Sequence, residues 1–208
     1  MELSELTVRE FSNLLGSDAP APGGGSAAAL EGALGAALTA MVSSLTLGRK
    51  KYAEYEPFAA EVFAKASDLK TRFLAAMELD TEVFRRFSEA MALPKDTEEQ
   101  KSVRTAAMQT ALEDCTRSPL SMMALSVEAL ELTASAIGRT NLSAASDLGV
   151  SALSLKAAVQ GAWLNVLINI GSLKNTELAS SLRSQAKALL DTALPLADRI
   201  YAEIEATL

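Results

Sequence analysis

The segment Val62–Met91, VFAKASDLKTRFLAAMELDTEVFRRFSEAM, decides the fold class. Its apolar positions Val62, Ala66, Leu69, Phe73, Met77, Phe84, Phe87 and Met91 recur in steps of three and four, and Asp80 stands in the same register. That period belongs to one buried side of a helix. Pro57 sits at the start and Pro94-Lys95-Asp96 follows the end, so one long helix is predicted over 57–91.

The same period extends in both directions, and no useful stretch alternates with the two-residue period of a strand. Thr97-Glu98-Glu99 opens a second long helix that reaches about Ile137, with a kink expected at Pro119. Gly138 to Asp147 reads as a polar loop, Leu148 to Ser172 as a nearly all-apolar central helix, and Asn175 onward as an amphipathic last helix. Toward the N-terminus, Lys50 to Tyr55 is a basic connector and Ser26 to Leu47 is a helix ending at Gly48. Ser17 to Gly25 is a loop, and a short helix opened by Ser4 or Thr7 ends near Gly16. The expected fold is all-α: a bundle of about six mostly antiparallel helices, two of them long, in a single domain over residues 1–208. Ala27 to Leu47 contains Glu31 and many small residues, so it reads as a buried helix rather than a membrane span. Its small residues allow close helix approach, within the bundle or across a dimer seam.

With 208 residues, 49% of them hydrophobic, the chain can bury a full core. A net charge of −7 argues against a nucleic-acid partner, which needs a basic face. There is no histidine, which excludes Ser-His-Asp and Cys-His catalysis and removes the commonest metal ligand; no metal site is expected. Cys115 is the single cysteine, so no internal disulfide forms, and a reduced, cytoplasmic setting is expected. Met1 to Glu10 is acidic and polar, unlike a signal peptide.

Polar groups in apolar positions mark the candidate site. Asp80 is either half of a buried ion pair or a carboxylate on a pocket floor, with a pKa raised by burial; we adopt the second reading. Arg104 heads an apolar stripe, either as Asp80's partner or as a holder of a ligand carboxylate or carbonyl. Asn165 and Asn169 share one face of the apolar helix and either satisfy each other and the backbone or read a heterocycle. Gly23, Gly24 and Gly25 lead into Ser26, a good N-cap, and an Ala/Leu run. A bare backbone entering a helix N-terminus is an anion-binding device, although neither a P-loop nor GxGxxG is present. In the segment Asn141–Val150, Ser146 or Asp147 is the expected N-cap of the apolar helix, and the short polar side chains are a candidate ligand wall. Arg49-Lys50-Lys51 is a solvated cluster or the receptor of a poly-anionic substrate tail.

These elements occur in order along the chain: Pro22-Gly23-Gly24-Gly25-Ser26, Gly48-Arg49-Lys50-Lys51-Tyr52, Asp80 with Phe84, Leu93-Pro94-Lys95 before Thr97-Glu98-Glu99, Asn141 with Ser146-Asp147-Leu148-Gly149-Val150, and Leu164-Asn165-Val166 with Asn169. The ordered set resembles the cyclodeaminase/cyclohydrolase family of folate one-carbon enzymes. The resemblance implies an all-helical homodimer acting on a tetrahydrofolate derivative that carries a glutamate or polyglutamate tail. It implies no cofactor beyond that substrate, and no nucleic-acid or membrane partner. The leading expectation is hydrolysis of 5,10-methenyltetrahydrofolate to 10-formyltetrahydrofolate. The alternatives are ring closure of 5-formimidoyltetrahydrofolate with release of ammonia, and folate binding without catalysis. The resemblance places Asp80 as base and then acid, with Asp147 second, orienting the pterin. Asn165 and Asn169 hold pterin or carbonyl groups, and the glycine loop with Lys50 and Lys51 receives the tail.

Overall fold

The structure is a computed structural model, and it describes residues 2–208. Six helices carry the fold: α1 (Val8–Leu15), α2 (Gly24–Ser44), α3 (Glu56–Met91), α4 (Glu98–Ala136), α5 (Ala145–Ile170) and α6 (Thr176–Glu205). Short 3-10 turns cover Leu3–Glu5, Lys50–Tyr55 and Leu142–Ala144, and there is no strand among the described residues. The expected all-α bundle is the one observed.

Helices α3, α2, α5 and α6 stand side by side around α4, and consecutive long helices run antiparallel. The pairings show it. Gly32 of α2 faces Phe73 of α3, while Gly25 faces Asp80. Cys115 of α4 meets Val83 of α3 at one level and Asn169 of α5 at the same end. Lys156 of α5 pairs with Asp198 of α6. Phe73, Leu69 and Met77 are fully buried, each contributing about 1.5–3 kcal/mol of burial. Across α2 and α5 the close approach depends on Gly35, where a Cβ would lie 2.7 Å from Leu155 Cγ. At that level Thr39, Thr133 and Ser151 tie α2, α4 and α5 together by hydroxyl contacts of 2.7 and 2.9 Å. A buried hydroxyl network of this kind is stable because each member has a partner.

Several local expectations need correction. Ser26 is not the N-cap of α2: the helix starts two residues earlier on an extended Gly23, and Ser26 turns its hydroxyl to α3 instead. α5 starts at Ala145 with Ala144 as its N-cap, so Ser146 and Asp147 lie in its first turn; no side chain caps it. α4 runs as one helix through Pro119 to Ala136, which is the expected extent and needs no correction. The buried line of α3 holds through Met77 and then shifts to Val83 and Ala90, leaving Phe84 and Met91 exposed. Thr97 and Asn175 do cap α4 and α6, as their positions predict.

α2 and the segment Leu142–Ile170 are long and apolar enough to cross a membrane by length and composition. In the bundle each has one side packed against its neighbours.

Candidate active site

The chain brings Asp80 to the first turn of α2. Its Oδ2 accepts a hydrogen bond from Ser26 Oγ at 3.0 Å. Ser26 is fully buried, and its hydroxyl lies 3.3 Å from Thr81 Oγ1. The helix N-terminus therefore does hold an anion, as its geometry favours, but the anion belongs to the protein itself. Gly25 is what allows this. A Cβ there would fall 2.3 Å from Asp80 Oδ1, so only a glycine lets the carboxylate rest on the helix start.

Burial raises the pKa of Asp80 above the ordinary 3.8, and hydrogen bonding from Ser26 opposes that rise without cancelling it. No salt bridge engages Asp80 among the described residues, so the ion-pair reading does not apply. Arg104, offered as its partner, instead donates from Nε to the Met91 carbonyl at 2.9 Å and clasps the end of α3.

Asp80 opens into a cavity of about 280 Å³. Its lining includes Gly23, Gly24, Gly25, Asp80, Asn165 and Asn169, so six of the proposed site residues converge from three helices and the glycine turn. Phe84, Ile168 and Cys115 supply apolar wall. The Cys115 thiol donates to the Val83 carbonyl at 3.4 Å, and burial pushes its pKa up to about 11. It is a wall residue rather than a nucleophile at neutral pH.

The two asparagines do not bond each other. Asn165 Nδ2 donates to the Gly161 carbonyl at 2.9 Å, one turn back in α5. Asn169 Nδ2 donates at 2.6 Å to the Cys115 carbonyl of α4. That acceptor exists because Pro119, four residues on, has no N–H to give it. Pro119 thus creates the anchor that holds Asn169 at the cavity wall. Each asparagine keeps its Oδ1 free of protein partners among the described residues, available to an N–H of a bound heterocycle. Nothing in the sequence pattern marks Thr81, which approaches Ser26 Oγ; for Cys115 and Pro119 the one signal is the i to i−4 relation of Pro119 to the Cys115 carbonyl.

Asn169→Leu should lower stability by about 1–3 kcal/mol in denaturant titration, because the Cys115 carbonyl loses its donor. Asn165→Leu should stay within about 0.5 kcal/mol of wild type, since Asn165 only doubles a bond within its own helix. Equal losses for the two variants would contradict the anchor.

Lys50, Lys51, Asn141 and Asp147 lie elsewhere. They gather at the far end of α2, whose 21 residues span about 30 Å. Asn141 donates from its backbone N–H to Thr46 Oγ1 at 2.9 Å and caps the turn at Leu142–Ala144. The Tyr52 hydroxyl accepts from Leu142 N–H at 3.0 Å, and the Lys51 ammonium lies over the Tyr52 ring. Asp147 is in the first turn of α5. Within one chain these residues do not meet the Asp80 cavity. A second, more apolar cavity of about 450 Å³ lies between α1, α2 and α3, but its only ionisable lining group is Glu31.

A model of the formiminotransferase-cyclodeaminase family matches residues 7–188. A methenyltetrahydrofolate cyclohydrolase of Methylorubrum extorquens is 38% identical over 199 residues, covering 96% of each chain. A formimidoyltransferase-cyclodeaminase of Sus scrofa is 32% identical over 200 residues, covering 96% of this chain and 37% of the relative. The chain thus spans little more than a third of that relative. The crystal structure of a formiminotetrahydrofolate cyclodeaminase from Thermotoga maritima has the same fold, with a TM-score of 0.87 at 21% identity over 99% of this chain and 98% of the other. With the family model matching most of its length, the chain belongs to the formiminotransferase-cyclodeaminase family.

Proposed function

We propose that this chain hydrolyses 5,10-methenyltetrahydrofolate to 10-formyltetrahydrofolate, reversibly, with Asp80 as the acid/base group. One observation carries the reading: the cavity contains a single carboxylate and no cationic side chain. Such a site suits a substrate that is itself a cation, and the methenyl bridge is an amidinium. The named activity of the Methylorubrum extorquens relative, similar over almost the full length of both chains, supports it.

In this reading Asp80 takes a proton from water as its oxygen bonds to the bridge carbon, giving a tetrahedral adduct. The same proton then passes to N5 as the carbon–N5 bond breaks, and the adduct's hydroxyl proton leaves to solvent as the formyl C=O forms. In this reading the Oδ1 atoms of Asn165 and Asn169, whose Nδ2 groups are bonded to the Gly161 and Cys115 carbonyls, accept from N–H groups of the pterin. The reaction draws only on water, the carboxylate and the folate. The enzyme acts as a homodimer in the cytoplasm.

Asp80 must be ionised to act as base. Its pKa is raised by burial, so kcat/KM should fall as pH drops through a value above 3.8. A profile flat down to pH 4 would remove Asp80 from that role. The second reading, closure of 5-formimidoyltetrahydrofolate with ammonia release, is supported by the names of the Sus scrofa and Dictyostelium discoideum relatives. Assaying both substrates side by side, with ammonia scored, separates the two. Tight folate binding with no turnover of either substrate would leave a binding protein.

A further inference from the structure

The more apolar cavity, of about 450 Å³, plays no part in the reaction and shares no lining residue with the Asp80 cavity. Its size lies inside the roughly 300–1,000 Å³ range of small-molecule pockets. Its floor is α2 and α3, with Ala27, Leu30 and Glu31 on one helix and Leu74 and Met77 on the other. Its roof is the N-terminal segment from Leu3 to Gly16.

That roof is fastened at a few points and bridges a gap between them. Ser4 N–H donates to Glu78 of α3 at 2.8 Å, and Thr7 with Glu10 closes a capping box at the start of α1. Leu3 and Leu6 are partly buried against the core, and Phe11 is the one buried residue of α1. The other side chains of α1 leave the space beneath them unfilled. Val8, Leu15 and Leu34 line the cavity and are also exposed, Val8 at 85%, so it opens to solvent between α1 and α2.

One polar group decides what fits. Glu31 is the only ionisable residue of the lining, and no hydrogen bond or salt bridge engages its side chain among the described residues. Burial alone acts on its carboxyl and pushes it above the ordinary 4.5. A partly desolvated carboxylate without a partner is a native-state cost, which a cation beside it offsets. An anion is repelled there, and a purely apolar molecule leaves the cost in place. The apolar walls lack contact atoms on the cavity side, which an apolar body supplies.

We propose that this cavity is a second ligand site, taking a small apolar amine whose ring or chain fills the space under α1 and whose ammonium head pairs with Glu31. The mouth beside Val8 and Leu34 admits it without disturbing the bundle. The site is independent of the folate reading.

Calorimetric titration with three naphthalene probes tests it. Naphthylmethylamine, naphthylmethanol and naphthylacetate share one ring system and differ in the charge of the head. The amine should bind once per chain and about tenfold tighter than the alcohol, with the acetate weaker than both. The chain's net charge of −7 favours any cation to some degree, so variants separate the two sources. Glu31→Gln should bring the amine down to the alcohol's affinity and leave the alcohol unchanged. Ser12→Phe plugs the cavity from the roof and Leu74→Trp from the floor. Each should abolish binding of both probes with helical circular dichroism kept, and two plugs keep the test valid if one disturbs the fold. Asp80→Asn should change nothing, which sets this site apart from the other single-carboxylate cavity. Absence of binding overturns the proposal, as does an amine preference that survives Glu31→Gln. Binding that survives both plugs, or is lost in Asp80→Asn, overturns it equally.

Discussion

Asp80→Asn is expected to fold, to melt at a higher temperature than wild type at neutral pH, and to lose about 10²–10⁴-fold in turnover. The two effects have one origin. Burial raises the pKa of Asp80, so the native state binds its proton more tightly than the unfolded chain does. The benefit of that proton is full below the unfolded value near 3.8 and is lost as pH rises through the higher native value. At neutral pH the carboxylate is therefore a native-state cost, partly offset by Ser26. An amide of the same shape removes that cost together with the base. Thermal melts at pH 7 and pH 3 check the sign: the gap between variant and wild type should close in acid. A variant that retains full turnover would show that the reaction uses another group.

Gly25→Ala should lose about 10²-fold in kcat/KM while changing stability little. The new Cβ would meet Asp80 Oδ1 at 2.3 Å and its Cγ at 2.6 Å. The clash is with the far end of a side chain, so the carboxylate swings away and the helix is spared. Displacement by about 1 Å is enough for that loss of rate. Gly35→Ala is the contrast. Its Cβ would meet Leu155 Cγ at 2.7 Å and the Ser151 carbonyl at 3.1 Å, inside the packed seam of α2 and α5. There neither neighbour can yield freely, so stability should fall by about 1–3 kcal/mol. If Gly25→Ala unfolds the protein or leaves the rate intact, Gly25 does not serve to seat the carboxylate.

The order and type of the helices were legible in the chain because apolar period and capping residues are local signals. Thr97, Asn175 and the seam from Val62 to Met77 stand where their patterns put them. Asp80 was legible as an anomaly for the same reason: a carboxylate in an apolar register has few explanations. Ser26 misled because a serine before an alanine run is a good cap, and its actual partner lies 54 residues away in the chain. Asp147 misled in the same manner, being in the first turn of a helix that a 3-10 turn had already begun.

Sequence alone determined an all-helical chain without histidine chemistry, with one misplaced acid and one glycine-rich helix start. Only tertiary structure brought the two together, because antiparallel packing of α2 and α3 sets Asp80 against Gly25. It alone separated Lys50, Lys51, Asn141 and Asp147 from them by the length of α2. Helical period records which side of a helix is buried, and is silent on what lies across from it.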